Sequence, residues 1–304
     1  MNIMKKFAKR ALRSPANMLV SSSSNLLYKV KGAMADLTME EPSVAAKFLP
    51  FKEGQGNYIL DAVNKNGGTR SIDVPAPPED LWQGYGPTAK IFLESGKTHV
   101  QIMRDLVAQS NFPLQAGYRI LDLGCGAGRM IRFFDDIAEQ CEIWGLDISA
   151  EHIIWCHEHL SPPFNFAVTT TFPHLPFEDR YFDFIYCGSV FTHIADLADA
   201  WLLELRRVTR PNGRIYITIH DNSTIKSLVE TRPQWWLTEL LNDFNKTSNV
   251  MNSKFSMFTV NRGPRTAQVF YDIDYIRQHW GRLFRIQSVT PGAYDHQTAI
   301  LLER

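Results

Sequence analysis

The sequence predicts an α/β fold, with strands and helices alternating around a largely parallel sheet. Three observations predict it. A short apolar run, Tyr118 to Leu123, leads into glycines at 124, 126 and 128. Apolar residues at helical spacing follow, at Met130, Ile131, Phe133, Phe134 and Ile137. A second short run from Cys141 ends in the acid Asp147, about 20 residues beyond the loop, the spacing found in nucleotide-binding strand–helix–strand units. A helical stretch from about Ala195 to Val208 stops at Arg210-Pro211-Asn212-Gly213, and a further run, Arg214 to His220, begins at once.

Composition narrows the field. The chain has 304 residues, no formal net charge and 44% hydrophobic residues, which fits one large domain with an appendage or two small domains. Without a basic excess, composition gives no support to a nucleic-acid partner. The apolar runs are too short to span a bilayer. Cys125, Cys141, Cys156 and Cys187 form no C-x-x-C pair, and reduced thiols of a cytoplasmic protein are expected.

Residues 1–35 read as a basic arm. Ile3, Met4, Phe7, Ala8, Ala11 and Leu12 make an apolar stripe, with Lys5, Lys6, Lys9, Arg10 and Arg13 opposite. Such a helix can lie in a membrane interface through residues 1–13. The alternative is an arm packed on its own domain or left disordered, with the Ser21–Ser24 run favouring disorder. No signal-peptide apolar core or cleavage site is evident. Residues 36–116 read as an extension. Tyr58-Ile59-Leu60 and Ser71-Ile72-Asp73-Val74 flank a glycine turn and predict a hairpin, followed by the stiff Pro75–Pro78 connector and a helix over about 88–111. Trp82 and Tyr85, beside Gly84 and Gly86, either close over a ligand or anchor the connector.

The core, 117–304, continues with a helix capped by Ser149, whose His152, His157 and His159 read as a solvated face because no zinc-type spacing accompanies them. Strands are expected over 164–169 and 182–187. An aromatic-rich insertion, 221–269, carries Trp235, Trp236 and Phe258, with one helix over 225–241 and a hairpin near Asn261-Arg262-Gly263. A helix over 273–280 and strands over 284–290 and 297–302, turning at Pro291-Gly292, close the chain.

The glycine loop decides the ligand class. A dinucleotide fingerprint is G-x-G-x-x-G. Here the spacing is G-x-G-x-G, Arg129 holds the place of the third fingerprint glycine, and Asp122 stands at the strand end. A carboxylate there repels a pyrophosphate and attracts an ammonium or sulfonium. The run Leu121-Asp122-Leu123-Gly124-Cys125-Gly126-Ala127-Gly128-Arg129 resembles the first motif of class I S-adenosylmethionine (SAM)-dependent methyltransferases, and the resemblance runs on to His220. It implies a Rossmann-like fold, a seven-stranded, mostly parallel sheet with an antiparallel last strand, extended at the N-terminus and carrying its insertion after the fifth strand.

By the same resemblance SAM lies against Asp122, Gly124, Cys125, Gly126, Asp147 and Ile148. Thr171 stands where the family has an acid for the adenine amino group, Phe172 offers its N–H and ring, and Cys187 and Gly188 face the methyl group. The expected activity is methyl transfer to an oxygen or nitrogen of a small-molecule, lipid-linked or glycan-linked acceptor. His193 and His220 are the candidate bases at the sheet's carboxyl edge. Trp82, Tyr85, Trp235, Trp236 and Phe258 are expected to wall the acceptor. Asp221-Asn222 resembles the pair of metal-dependent O-methyltransferases, but Cys187-Gly188-Ser189 lacks their second acid, so no metal is expected. A silent binder of SAM or its demethylated product is one alternative, a nicotinamide oxidoreductase another. The Asn-Pro-Pro-aromatic signature of DNA-adenine methylases is absent.

Overall fold

The structure, a computed structural model, describes residues 46–50, 58–62, 74–261 and 267–304, all within one unit, Val44–Arg304. The expected arm, residues 1–35, lies outside the described residues. In chain order the elements are β1 (Ala46–Pro50), β2 (Tyr58–Ala62), α1 (Ala89–Gln109), β3 (Arg119–Leu123), β4 (Glu142–Asp147), α2 (Ala150–Leu160), β5 (Asn165–Val168) and β6 (Phe182–Cys187). Then come α3 (Ala198–Val208), β7 (Thr209–Ile219), α4 (Asn222–Thr231), α5 (Trp236–Ser248), β8 (Met257–Val260), β9 (Gln268–Tyr271), α6 (Ile273–His279), β10 (Arg285–Tyr294) and β11 (Gln297–Glu303).

Seven strands form the central sheet in the order β10-β11-β7-β6-β3-β4-β5. β5, β4, β3, β6 and β7 are parallel, while β11 runs antiparallel to both β7 and β10. This is the expected fold. Strand order reverses between β3 and β6, so the crevice outside their carboxyl ends is where such a sheet binds ligands. Side chains alternate across the pleat. Ile120, Phe184 and Tyr216 join a core with Val100, Met103 and Val107 of α1 and Ile153 of α2. Leu121, Ile185 and Ile215 join a second core on the other face, with Trp201, Leu202 and Leu205 of α3. A third, smaller core lies within the insertion, from Ile225, Leu228, Leu237, Leu241, Val260 and Phe270.

Helix α1 begins at its Thr88 cap, which accepts from the Ile91 amide at 3.3 Å, and packs against the glycine loop. A Cβ on Gly96 would stand 2.3 Å from the Arg129 carbonyl oxygen, so only a bare backbone permits that approach.

Several expectations are corrected. No α-helix follows the glycine loop: residues 131–134 and 138–140 are 3₁₀ turns. The Arg132 Nε donates to the Gly128 carbonyl at 3.2 Å, the acceptor an α-helical amide at 132 would need, and Phe133 and Ile137 bond three residues back instead. The loop therefore has no helix dipole behind it. The insertion helix is two helices, α4 and α5, because Pro233 cannot continue the first. Pro211 to Gly213 is a bulge within β7, between the pairs Phe182–Thr209 and Phe184–Arg214.

The closing turn is at Asp295-His296, with Asp295 at φ 54°, while Pro291-Gly292 lies within β10, between the paired positions Thr290 and Tyr294. Strand β2 forms as expected, but it pairs with β1. Residues 71–73 of its expected partner are outside the described residues, as are 262–266 of the β8–β9 turn. His152 faces inward, 6% exposed, and not to solvent.

Candidate functional site

The carboxyl ends of β3, β4 and β6 bring the predicted cofactor residues together. Gly124 and Cys125 both donate their amides to the Leu146 carbonyl, at 2.7 and 3.1 Å, which ties the loop to β4. Gly126 holds φ 51°, and a Cβ there would meet only the Gln83 Oε1, at 3.4 Å. Gly126 is buried beneath Gln83, whereas Gly124 is exposed. Asp147 is buried; its Oδ2 accepts from the Gly126 amide and its Oδ1 from the Ser149 amide, each at 2.8 Å. A carboxylate has about four lone-pair sites, so two are left for ligand hydroxyls.

Asp122 is 3% exposed, and its Oδ2 has no hydrogen-bond partner among the described residues. Burial pushes its carboxyl up to about 8; Tyr186, close by but outside hydrogen-bond geometry, and Arg129 pull it back. An orphaned buried carboxyl oxygen near the exposed Gly124 fits a ligand bearing an ammonium or sulfonium charge.

Thr171 and Phe172 are exposed on the loop after β5, and the Thr171 carbonyl accepts from the Trp201 indole at 3.2 Å. Ile148 is half-buried beside Asp147. Cys187 is fully buried, which pushes its thiol up, and Gly188 lies against the Tyr294 hydroxyl. Ser189 follows at φ 59°, a conformation that costs a non-glycine residue about 1–3 kcal/mol. Bonds over-determine it: its amide donates to Thr218 Oγ1 at 2.7 Å and its Oγ accepts from Gln297 Nε2 at 2.8 Å.

The two candidate bases differ. His193 remains exposed; its Nδ1–H donates to the Ala267 carbonyl at 2.9 Å. Desolvation by its surroundings lowers its pKa, and the bond to the Ala267 carbonyl opposes that. His220 is 2% exposed, and its Nε2 pairs with the Gln268 side-chain amide at 3.2 Å. Burial first, then His296 and His193, hold it well below the usual histidine range, so it is neutral.

The expected acceptor walls divide. Trp82 is buried, its indole donating to the Pro77 carbonyl at 2.7 Å and stacking on Phe92, so it anchors the connector. Tyr85 faces the site, 3.9 Å from the Arg129 guanidinium, and its hydroxyl accepts from Tyr294 at 3.1 Å. Phe258, Phe270, His220, His296 and Trp235 form a continuous run of ring contacts, with centroids 4.9 to 5.4 Å apart. Trp236 is 52% exposed at its outer end. Asp221 caps α4, accepting from the Thr224 amide at 2.9 Å, and no metal-type cluster exists among the described residues. A shallow groove of about 540 Å³ beside Phe284 and residues 285–289 lies at the sheet's outer edge, remote from the β3–β6 crevice.

Sequence reasoning missed Arg129, His99, Tyr294, Asp295 and His296. Arg129 is 5% exposed and donates to Ser95 Oγ at 3.2 Å, to His99 Nδ1 at 3.1 Å and to the Tyr294 hydroxyl. Burial, then Arg129, lowers His99 to about 3. The signal for Arg129 was its place directly after the loop. The signal for His296 was hidden because the turn was expected four residues earlier.

Residues 121–217 match the family model of a methyltransferase domain. A ubiquinone/menaquinone biosynthesis C-methyltransferase of Paraburkholderia phymatum is 30% identical over 130 residues, 41% of this chain and 51% of that protein. A sterol 24-C-methyltransferase of Schizosaccharomyces pombe is 31% identical over 111 residues, 33% of this chain and 27% of that protein. The chain thus spans about half the length, or less, of these curated relatives. A SAM-dependent methyltransferase of known structure from Aquifex aeolicus is 15% identical, covering 75% of this chain and 98% of that chain at a TM-score of 0.46.

Proposed function

We propose that this chain, whose residues 121–217 belong to the SAM-dependent methyltransferase family, uses SAM to methylate an oxygen or nitrogen of a small-molecule, lipid-linked or glycan-linked acceptor. The observation that carries the cofactor assignment is the orphaned Oδ2 of Asp122 at the end of β3, two residues before the exposed Gly124. When bound, SAM supplies an electrophilic methyl group on a sulfonium.

In this reading Asp122 and the backbone of Gly124, Cys125 and Gly126 receive the amino-acid end. Asp147 and Ile148 receive the ribose, Thr171 and Phe172 the adenine, and Cys187 and Gly188 border the methyl group. Of the expected extension 36–116, the described residues 74–116 cover the domain 117–304, and the insertion 221–269 walls the acceptor through Trp235, Trp236 and Phe258, with Tyr85 opposite. Alignment of the acceptor is the larger part of such catalysis.

A second reading, transfer to carbon, is supported by the names of the two relatives, both C-methyltransferases. The test of the shared premise is a melting-temperature shift. SAM at a large excess over its Kd should stabilise by about 2.7 kcal/mol or more, and NAD should do nothing. A shift with NAD alone would overturn the assignment. No helix among the described residues is long and apolar enough to cross a membrane. Surface contact through residues 1–13 rests on their basic amphipathic pattern, and co-sedimentation with anionic vesicles, with and without those residues, tests it.

A further inference from the structure

The turn that joins β10 to β11 presents an arrangement none of the sequence motifs announces. Asp295 Oδ2 lies 3.0 Å from His296 Nδ1, so the carboxylate accepts the Nδ1–H and fixes the tautomer. The lone pair of His296 is then on Nε2, and that atom is buried with no partner among the described residues. The carboxylate is itself held: Arg232 Nη1 and Nη2, at the end of α4, donate to Asp295 Oδ2 and Oδ1 at 2.7 and 2.6 Å. These bonds, His296 first, hold the Asp295 carboxyl well below its usual range. A charged, doubly anchored acid behind a histidine is the arrangement that stabilises an imidazolium.

Position completes the argument. The turn is fastened to the segment after β6: Gln297 donates to Ser189 Oγ at 2.8 Å, and Tyr294 packs on Gly188. The His296 ring stacks on His220 at 5.4 Å and meets the edge of Trp235 at 4.9 Å. The Nδ1 of His220 is also buried and without a partner among the described residues. A bare acceptor nitrogen on His296, with a second unpartnered ring nitrogen on the stacked His220 and an indole beside them, calls for a ligand that brings a hydrogen-bond donor.

We propose that the acceptor carries a hydroxyl on an aromatic or otherwise acidifying frame, that His296 Nε2 is the base that takes its proton, and that Asp295 positions and charges that base. The inference rests on the methyltransferase reading of the same site. In the step, the O–H proton passes to His296 Nε2. The oxygen lone pair left behind forms the bond to the methyl carbon, as the carbon–sulfur bond breaks with its electron pair on sulfur. The imidazolium then returns the proton to solvent. The charged and titratable groups that face His296 are Asp295, Arg232 and His220, with His99 more distant. The carboxylate favours the imidazolium; the guanidinium and the other imidazoles oppose it.

Nitrogen-15 NMR of the full-length protein reads the tautomer without any acceptor. Protonated Nδ1 and bare Nε2 at His296 are expected, with the Nδ1 preference lost in Asp295→Asn. A protonated Nε2 in the wild type overturns the proposal. Phenol, catechol and salicylate serve as probe acceptors, with product read by mass. His296→Ala should lower kcat on these probes by about 10²–10⁴-fold with SAM affinity unchanged, and added imidazole should restore part of it. Should His296→Ala fail to fold, His296→Gln takes its place. Asp295→Asn should move the acid limb of the kcat profile to lower pH, a shift a purely structural role would not cause. Wild-type kcat in the folded His296 variant overturns the proposal, as does a SAM-bound protein that methylates none of the three probes. A protein that binds no SAM by calorimetry overturns the methyltransferase reading instead, and the tautomer result stands apart from it.

Discussion

The glycine loop and the Asp295-His296 turn sit at the same edge of one sheet and are built in opposite ways. The loop is mostly backbone: it is exposed at Gly124 and covered by Gln83 at Gly126, and its polar neighbours, Asp122 and Asp147, sit at the ends of adjacent parallel strands. The turn is mostly side chain. It draws Arg232 from the insertion, His220 from the end of β7, Gln297 from β11 and Ser189 from the loop after β6. The difference teaches where invariance of geometry is stored. In the proposed reading the cofactor is held by strands and amides that the fold supplies, and the acceptor by a network that a change of insertion can rewrite.

The two halves also respond to pH in opposite senses. Asp122 in the folded protein has its pKa raised to about 8 from 3.8, so the folded state holds a proton the unfolded state releases. That contribution to stability is complete below about pH 4 and is lost as pH rises through about 8. His220 has its pKa depressed by burial, so the unfolded state binds the proton, and stability is lost as pH falls below the ordinary histidine value of 6.5.

The comparison can be broken most sharply at Gly126. In Gly126→Val, calorimetry should detect no SAM binding while the circular dichroism stays native, since the added Cβ meets only the Gln83 side chain. The strain of a left-handed side chain adds about 1–2 kcal/mol. Gly128→Ala should do the reverse and lower the melting temperature, because its Cβ would stand 2.2 Å from Leu160 Cδ1. If Gly126→Val keeps SAM affinity, the loop is not the cofactor face.

Next in size is Asp147→Ala. The loss of a charged acceptor for ribose hydroxyls and of the Gly126 tether should weaken SAM by about 1.5–3 kcal/mol, or roughly 10- to 150-fold. Unchanged affinity would remove the ribose assignment. A smaller effect is expected from Asp122→Asn without ligand. The wild-type melting temperature should decline between about pH 5 and pH 8, and the variant should decline less; equal slopes would refute the buried, protonated carboxyl. The smallest concerns His220→Phe, which keeps the stack on Phe270. It should flatten the loss of stability below pH 6.5 and leave SAM affinity alone. A large loss of affinity would join the two halves.

How much was legible follows the same division. The parallel core could be read because each strand is a local apolar run, and Asp122, Gly126 and Asp147 lie next to the runs that place them. The 3₁₀ turns after the loop could not be read from periodicity. Arg132 occupies the Gly128 carbonyl through its side chain, a competition that spacing does not reveal. Pro233 was a legible helix stop that the apolar pattern around it obscured. The His296 site was illegible for a different reason: Arg232, Ser189 and His220 reach it only through tertiary structure, and the turn that carries it has no glycine.

The close approach of α1 to the loop has a mechanical consequence. With Gly96 pressed on the Arg129 carbonyl, and with Ser95 and His99 bonded to the Arg129 side chain, α1 and the loop move as one body. A ligand that enters over Gly126 has no hinge in that helix to open. The freedom to uncover the loop is confined to the chain before Thr88, where Gly84 and Gly86 hold φ 82° and 107°. A ligand reaching Gly126 must displace Gln83, and the strap that bears it is itself tied down through the Tyr85 ring on Arg129 and the Tyr85–Tyr294 hydroxyl bond.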